Sequence, residues 1–249
     1  MATFILVHGA WHDAGCWHRL ARVLRGADHK VLTPTLPGHG PVHGPGHEKD
    51  QLSPWSINME AYAAAVADVA AQADEKPICV GHSMAGFILA MAAERHPELF
   101  QKLIFLTALV PNGRGRLLPM IIADRSLRKR ILHSDFDFLG GTNSVRPETA
   151  PEFLYTDCTA DIQKEATEAL IPQPVRPLFS KVGITPERFG GVPKAFIECA
   201  GDQAIPIALQ RQMQLYSNFD QIRTLDAAHS PFLSMPEKTA EVLEELAAV

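Results

Sequence analysis

The sequence predicts an α/β fold: a mainly parallel open sheet flanked by helices, with an inserted, mainly helical cap. Two observations carry that expectation. Short apolar, β-rich runs alternate with longer runs of helical spacing, a rhythm that implies parallel strands joined by right-handed crossovers. Residues 111–191 then interrupt the rhythm with scattered apolar stretches and no further obvious strand. An interval of that length is too long for a bare loop, so it should fold over the sheet. The expected organisation is therefore a core of residues 1–110 and 192–249 and a cap of residues 111–191.

The first run, Phe4 to Val7, reads as a strand ending at His8-Gly9. Trp17, Leu20, Ala21, Val23 and Leu24 follow at helical spacing. Val31 to Leu36 is a second short strand, and the glycine-, proline- and histidine-rich stretch from Pro37 to about Leu52 cannot hold regular structure. An alanine-rich helix runs from Ser56 to Ala73, with Ser56 as its N-cap and Glu60 in its first turns. Pro77 to Val80 reads as a strand, Met84 to Glu94 as a helix and Leu103 to Val110 as a strand. Beyond the interruption come a strand at Ala195 to Cys199, a helix at Pro206 to Tyr216, a strand at Ile222 to Leu225 and a helix from Pro236 onward.

Composition narrows the function classes. At 249 residues, 46% hydrophobic and 20% charged, the chain can bury a sizeable core. A formal charge of −5 offers no basic surplus for phosphates, so no nucleic-acid partner is expected. The cluster Arg125, Arg128, Lys129 and Arg130 reads as a solvated helix face. Cys16, Cys79, Cys158 and Cys199 are widely spaced without a CxxC pair, which suits free thiols in a reducing compartment. No apolar run approaches the roughly 20 residues needed to span a bilayer. The chain opens directly on its first strand, without the features of a secretory signal. A cytoplasmic protein with no membrane partner is the expectation.

The chemistry is concentrated in Ile78-Cys79-Val80-Gly81-His82-Ser83-Met84-Ala85-Gly86. A serine between a strand and a helix sits on a tight, strained turn that lifts its hydroxyl above the sheet and demands minimal side chains two residues to either side. Gly81 and Ala85 meet that demand, Ala85 replacing the more usual glycine and Gly86 standing directly behind it. This nucleophile elbow belongs to the α/β-hydrolase fold, which places an acid after the penultimate strand and a histidine after the last. Asp202 and His229 stand at those two places. Ser83 is therefore the expected nucleophile, His229 its base and Asp202 the orienting acid. Asp226 is a rival acid, too near His229 along the chain to reach its far ring nitrogen comfortably.

An oxyanion formed at Ser83 needs two backbone donors, expected from Met84 and Ala10. Trp11, Met84, Phe87, Leu118, Met120, Phe136, Phe153 and Phe179 are candidates for an apolar substrate pocket. His12 and His82 read as packing or hydrogen-bonding residues. His39, His43 and His47 recur every four residues but lie among glycines and prolines without a carboxylate cluster or cysteine pair, so neither a metal site nor any other cofactor is expected.

Phe4-Ile5-Leu6-Val7-His8-Gly9-Ala10-Trp11-His12 with Cys16-Trp17, the elbow Gly81-His82-Ser83-Met84-Ala85-Gly86, and Asp202-Gln203-Ala204-Ile205-Pro206 with Gln210-Arg211 together resemble one family. It comprises the plant methylesterases and salicylate-binding esterases, the hydroxynitrile lyases and their bacterial esterase relatives. The resemblance covers nearly the whole chain and is weakest in the cap. It implies the same triad and the same donors, Ala10 and Met84, and makes a homodimer a candidate assembly. Members that cleave cyanohydrins carry a threonine after the first-strand histidine and a lysine after the catalytic histidine; Gly9 and Ser230 stand there instead. Hydrolysis of a small, largely apolar carboxylic ester through an acyl-enzyme is therefore the leading expectation. A carbon–carbon lyase and a non-catalytic small-molecule receptor on the same scaffold remain the alternatives.

Overall fold

A computed structural model describes residues 1–40, 53–112, 115–131 and 133–248, with the side chains of residues 129–131 not described. Among these, six parallel strands form the central sheet, in the order β2-β1-β3-β4-β8-β9. Their ranges are β1 Thr3–Val7, β2 Lys30–Leu32, β3 Ile78–His82, β4 Lys102–Leu106, β8 Lys194–Cys199 and β9 Gln221–Leu225. The helices of the core are α1 His18–Gly26, α2 Met59–Ala71, α3 Ala85–Arg95, α8 Ile207–Gln214, α9 Pro231–Ser234 and α10 Pro236–Ala247.

Alternation along β1 explains why helices cover both faces. Ile5 and Val7 pack on the side of α2, α3 and α8, with Tyr62, Phe87 and Met213. Phe4 and Leu6 pack on the other, with Leu20 and Leu24 of α1 and Leu243 and Leu246 of α10. A strand buried on both faces reads as a near-continuous apolar run, and β1, β3 and β4, buried along their whole lengths, keep polar residues only at their ends, at Thr3, His82 and Lys102.

Three local expectations change. β4 stops at Leu106, short of Val110, because Thr107 leaves the extended conformation with φ +38. β2 stops at Leu32, well short of Leu36, which leaves the ladder to donate its N–H to His8 Nε2 at 3.1 Å. α2 is capped by Asn58, whose side chain accepts from Ala61 N–H at 2.9 Å, while Ser56 lies in a preceding 3₁₀ turn. Asn58 wins because its extended backbone places the side chain across the first helical turn.

Between β4 and β8 lie α4 Leu117–Ala123, α5 Arg125–Ile131, α6 Ala160–Glu168 and α7 Arg176–Phe179. The segment also holds strands the sequence pattern does not reveal: β5 Ser134–Asp137, β6 Thr142–Val145 and β7 Gln173–Pro174 form an antiparallel sheet in that order. Each is two to four residues long and largely polar, too short for an alternating pattern to stand out. Arg125 and Arg128 on α5 are exposed, as a solvated face requires. Cys16, Cys79, Cys158 and Cys199 are free thiols, three of them buried. Among the described residues no helix is long and apolar enough to cross a membrane.

Candidate active site

Ser83 follows β3 directly and has φ +56, a left-handed conformation that costs an L-residue about 1–3 kcal/mol. The fold holds it there from three sides. Ser83 N–H donates to Leu106 O at 3.4 Å, and Ser83 O accepts from Gly86 N–H at 3.2 Å and Leu109 N–H at 2.9 Å. A Cβ on Gly86 would lie 2.1 Å from the Leu109 carbonyl oxygen, and one on Gly81 would lie 2.7 Å from Leu89 Cδ1. The position that tolerates no side chain behind the serine is thus Gly86, whereas the methyl of Ala85 is simply buried.

Asp202 follows β8 and His229 follows β9; the two loops are joined by Ala200 N–H to Leu225 O and Gly201 N–H to Ala227 O, each 2.9 Å. His229 Nδ1 lies 2.7 Å from Asp202 Oδ2, and both residues are buried. The other carboxylate oxygen accepts from Ala204 N–H at 2.7 Å and Ile205 N–H at 2.8 Å, and the Thr107 hydroxyl donates to Oδ2. Asp226 is exposed. Ser83 and His229 line one cleft, and among the described residues no hydrogen bond joins their side chains. Such bonds are commonly long without ligand and tighten once substrate is bound.

The loop after β1 supplies Ala10. His8 Nδ1–H donates to Gly9 O at 2.9 Å, and because a trans peptide directs its C=O and N–H oppositely, this turns Ala10 N–H the other way. His12 Nδ1–H fixes Ala10 O at 2.7 Å, and Ile171 N–H fixes Trp11 O at 2.9 Å. Trp11 itself has φ +61, and its indole N–H donates to Asn143 Oδ1 on β6 at 2.9 Å. Gly9 lies so close to the elbow that a Cβ there would sit 2.9 Å from Ser83 Cβ. Met84, at the N-terminus of α3, lines the cleft with Ala10; the positive end of the helix dipole favours an anion at that point.

Buried imidazoles surround this site, all held neutral. Desolvation depresses His8 and His82 well below the usual histidine range, and His12 to about 4. His82 Nε2–H donates to His229 O at 2.8 Å, tying the elbow to the histidine loop. Since His12 Nδ1 donates to a carbonyl, its Nε2 accepts, here from the Tyr155 hydroxyl at 2.8 Å. His39, also depressed to about 4 by burial, packs against His8 and Tyr62. His43 and His47 lie outside the described residues, among which no cluster of three or more His, Cys, Asp or Glu could hold a metal.

The cleft lies between the sheet edge and the segment inserted after β4 and is partly open to solvent. Of the pocket candidates, Trp11, Met84, Phe136 and Phe153 line it. Phe87, Leu118, Met120 and Phe179 do not. Phe87, on α3, is fully buried in the core, and Phe179 is 52% exposed while its neighbour Leu178 points inward. On α4 the inward positions are Leu117 and Ile121, one turn apart, so Leu118 and Met120 fall on other faces. That i, i+4 pair was the available signal. Ser134, Asn143 and Gln173 add polar groups to the wall from the small antiparallel sheet.

The sequence matches the alpha/beta hydrolase family over residues 4–242. It is 31% identical to a pyrethroid hydrolase of Sphingobium wenxiniae, over 99% of this chain and 88% of that protein. It is 29% identical to salicylic acid-binding protein 2 of Nicotiana tabacum, over 98% and 96% respectively. The fold is similar to the crystal structure of a pyrethroid hydrolase from Sphingobium faniae, with a TM-score of 0.82 and 27% identity over 100% of this chain and 98% of that one.

Proposed function

The chain belongs to the alpha/beta hydrolase family, and from that premise we propose that it is a serine carboxylesterase acting on small, largely apolar esters. Ser83 attacks the ester carbonyl carbon as His229 takes the hydroxyl proton. The tetrahedral oxyanion rests on Ala10 N–H and Met84 N–H, and the alcohol leaves with the proton from His229. Water, deprotonated by His229, then cleaves the acyl-enzyme and frees Ser83. Asp202 fixes the ring with its proton on Nδ1 and stabilises the imidazolium. Residues 111–191 act as a cap that shapes the cleft.

One observation carries this reading: a serine in left-handed backbone lines the same apolar cleft as a buried histidine bound to a buried carboxylate. The cleft walls, including Leu109, Leu117, Phe136 and Phe153, favour an apolar acid or alcohol part. The similarity to a pyrethroid hydrolase supports including a bulky pyrethroid ester among the substrates to be tried. The lyase alternative loses ground because Ser230 offers no cation, and a threonine at position 9 would place its Cβ 2.9 Å from that of Ser83.

The test is turnover of p-nitrophenyl acetate and butyrate, a pyrethroid ester and mandelonitrile by the wild type and by Ser83→Ala. Ester cleavage lost in the variant is the expected result. Mandelonitrile cleavage alone, or ligand binding without any turnover, overturns the proposal.

A further inference from the structure

Thr107 follows β4 directly, is fully buried and has φ +38, a backbone conformation that a β-branched residue resists. Its N–H is fixed on Ile197 O at 2.8 Å and its hydroxyl donates to Asp202 Oδ2, the same oxygen that accepts from His229 Nδ1–H. Glycine or asparagine would suit the backbone better, so the conformation alone does not account for a threonine here. The hydroxyl does.

We propose that Thr107 is a positioning residue of the Asp202–His229 pair, setting through the shared carboxylate oxygen the pH at which His229 becomes a free base. The inference rests on the esterase reading given above and extends it to a residue that touches neither substrate nor Ser83 chemistry. Asp202 has four donors, two on each oxygen. With the hydroxyl removed, Oδ2 keeps His229 alone, its charge is less dispersed, and the imidazolium is held more strongly. His229 then stays protonated to higher pH, and the acidic limb of the activity profile moves up.

The groups that face this pair do not obscure the effect. His82 on the elbow, with its ring 4.5 Å from that of His229, and His12 in the loop after β1 are both held neutral by burial. Burial likewise keeps the Cys199 thiol, on β8 beside Asp202, protonated. Asp157 reaches the histidine loop from the cap through Ala228 N–H at 2.8 Å and is untouched by a change at position 107.

The experiment compares wild type with Thr107→Val, which keeps the branched shape, Thr107→Ala as a second variant without the hydroxyl, and Thr107→Ser, which restores it. Two readouts are taken: the pH profile of kcat/KM on p-nitrophenyl butyrate, and the NMR titration of the His229 ring in substrate-free protein. Both midpoints should rise by roughly half a unit to one unit in the valine and alanine variants and return in the serine variant. A uniform loss of kcat with unmoved midpoints shows a merely structural threonine and overturns the proposal. If the wild type cleaves no ester, the esterase reading falls while the NMR titration still decides the role of Thr107.

Discussion

Replacing Gly9 by alanine tests the geometry beneath the oxyanion most sharply. The new Cβ would stand 2.9 Å from Ser83 Cβ and 3.1 Å from both His82 Nδ1 and His82 O. Carbon pairs settle near 3.5–4.0 Å, so the loop must retreat by about 0.6–1.1 Å. Ser83 Cβ cannot yield, because it is anchored to the strained elbow. The retreat therefore carries Ala10 N–H away from the place proposed for the developing oxyanion. Displacement of that size costs on the order of 10²-fold in rate, and complete loss of one donor up to about 10³-fold. Overpacking adds about 1–3 kcal/mol of destabilisation, a fall in Tm of roughly 2–12 °C for a chain this size. The assay is kcat and KM on p-nitrophenyl butyrate, with calorimetry on the same sample. A folded Gly9→Ala enzyme with wild-type kcat, or one impaired only in KM, would refute the reasoning.

Gly86→Ala should destabilise by more than about 3 kcal/mol, since its Cβ meets the Leu109 carbonyl at 2.1 Å, whereas Ala85→Gly should cost no more than about 1 kcal/mol; thermal unfolding of both variants checks the contrast. Trp11→Phe removes the indole N–H from Asn143 and loosens the loop after β1, the proposed source of an oxyanion donor, from β6, so kcat/KM should fall about 2- to 12-fold, and an unchanged value would argue that the tether is idle. Acid stability follows from the buried histidines. His8, His12, His39 and His82 titrate lower folded than unfolded, so between pH 6.5 and about 4 the unfolded chain binds more protons and stability falls as pH falls. Each contributes a slope of about 1.4 kcal/mol per pH unit. Urea unfolding at pH 6.5, 5.5 and 5.0 should show the decline, and His12→Gln should flatten it by one proton; stability constant down to pH 5 would contradict it.

The core of the site is readable in sequence because its constraints are local. A serine at a strand–helix junction needs Gly81 two residues before it, and the strand buried on both faces before Asp202 shows as a largely apolar run, while the edge strand before His229 shows only as the short stretch ending at the buried Leu225. The segment inserted after β4 hides from the same reading. Thr142–Val145 and Gln173–Pro174 pair across more than twenty residues, and nothing in three polar residues and a valine specifies that partner. Pocket lining depends on which face of a one- or two-turn helix points inward, so Leu178 enters the cleft where Phe179 does not. Thr107 left no motif, because its role arises from a positive φ and a contact across 95 positions of sequence.

The central claim is that Ser83 is the nucleophile and His229 makes it one. Brief exposure to a p-nitrophenyl phosphate triester, with p-nitrophenol release and peptide mass analysis, reads it directly. The account predicts one equivalent released, one phosphoryl adduct on the Ser83 peptide, full loss of esterase activity, and little labelling of His229→Ala. Label on another residue, or esterase activity surviving complete modification of Ser83, would contradict it.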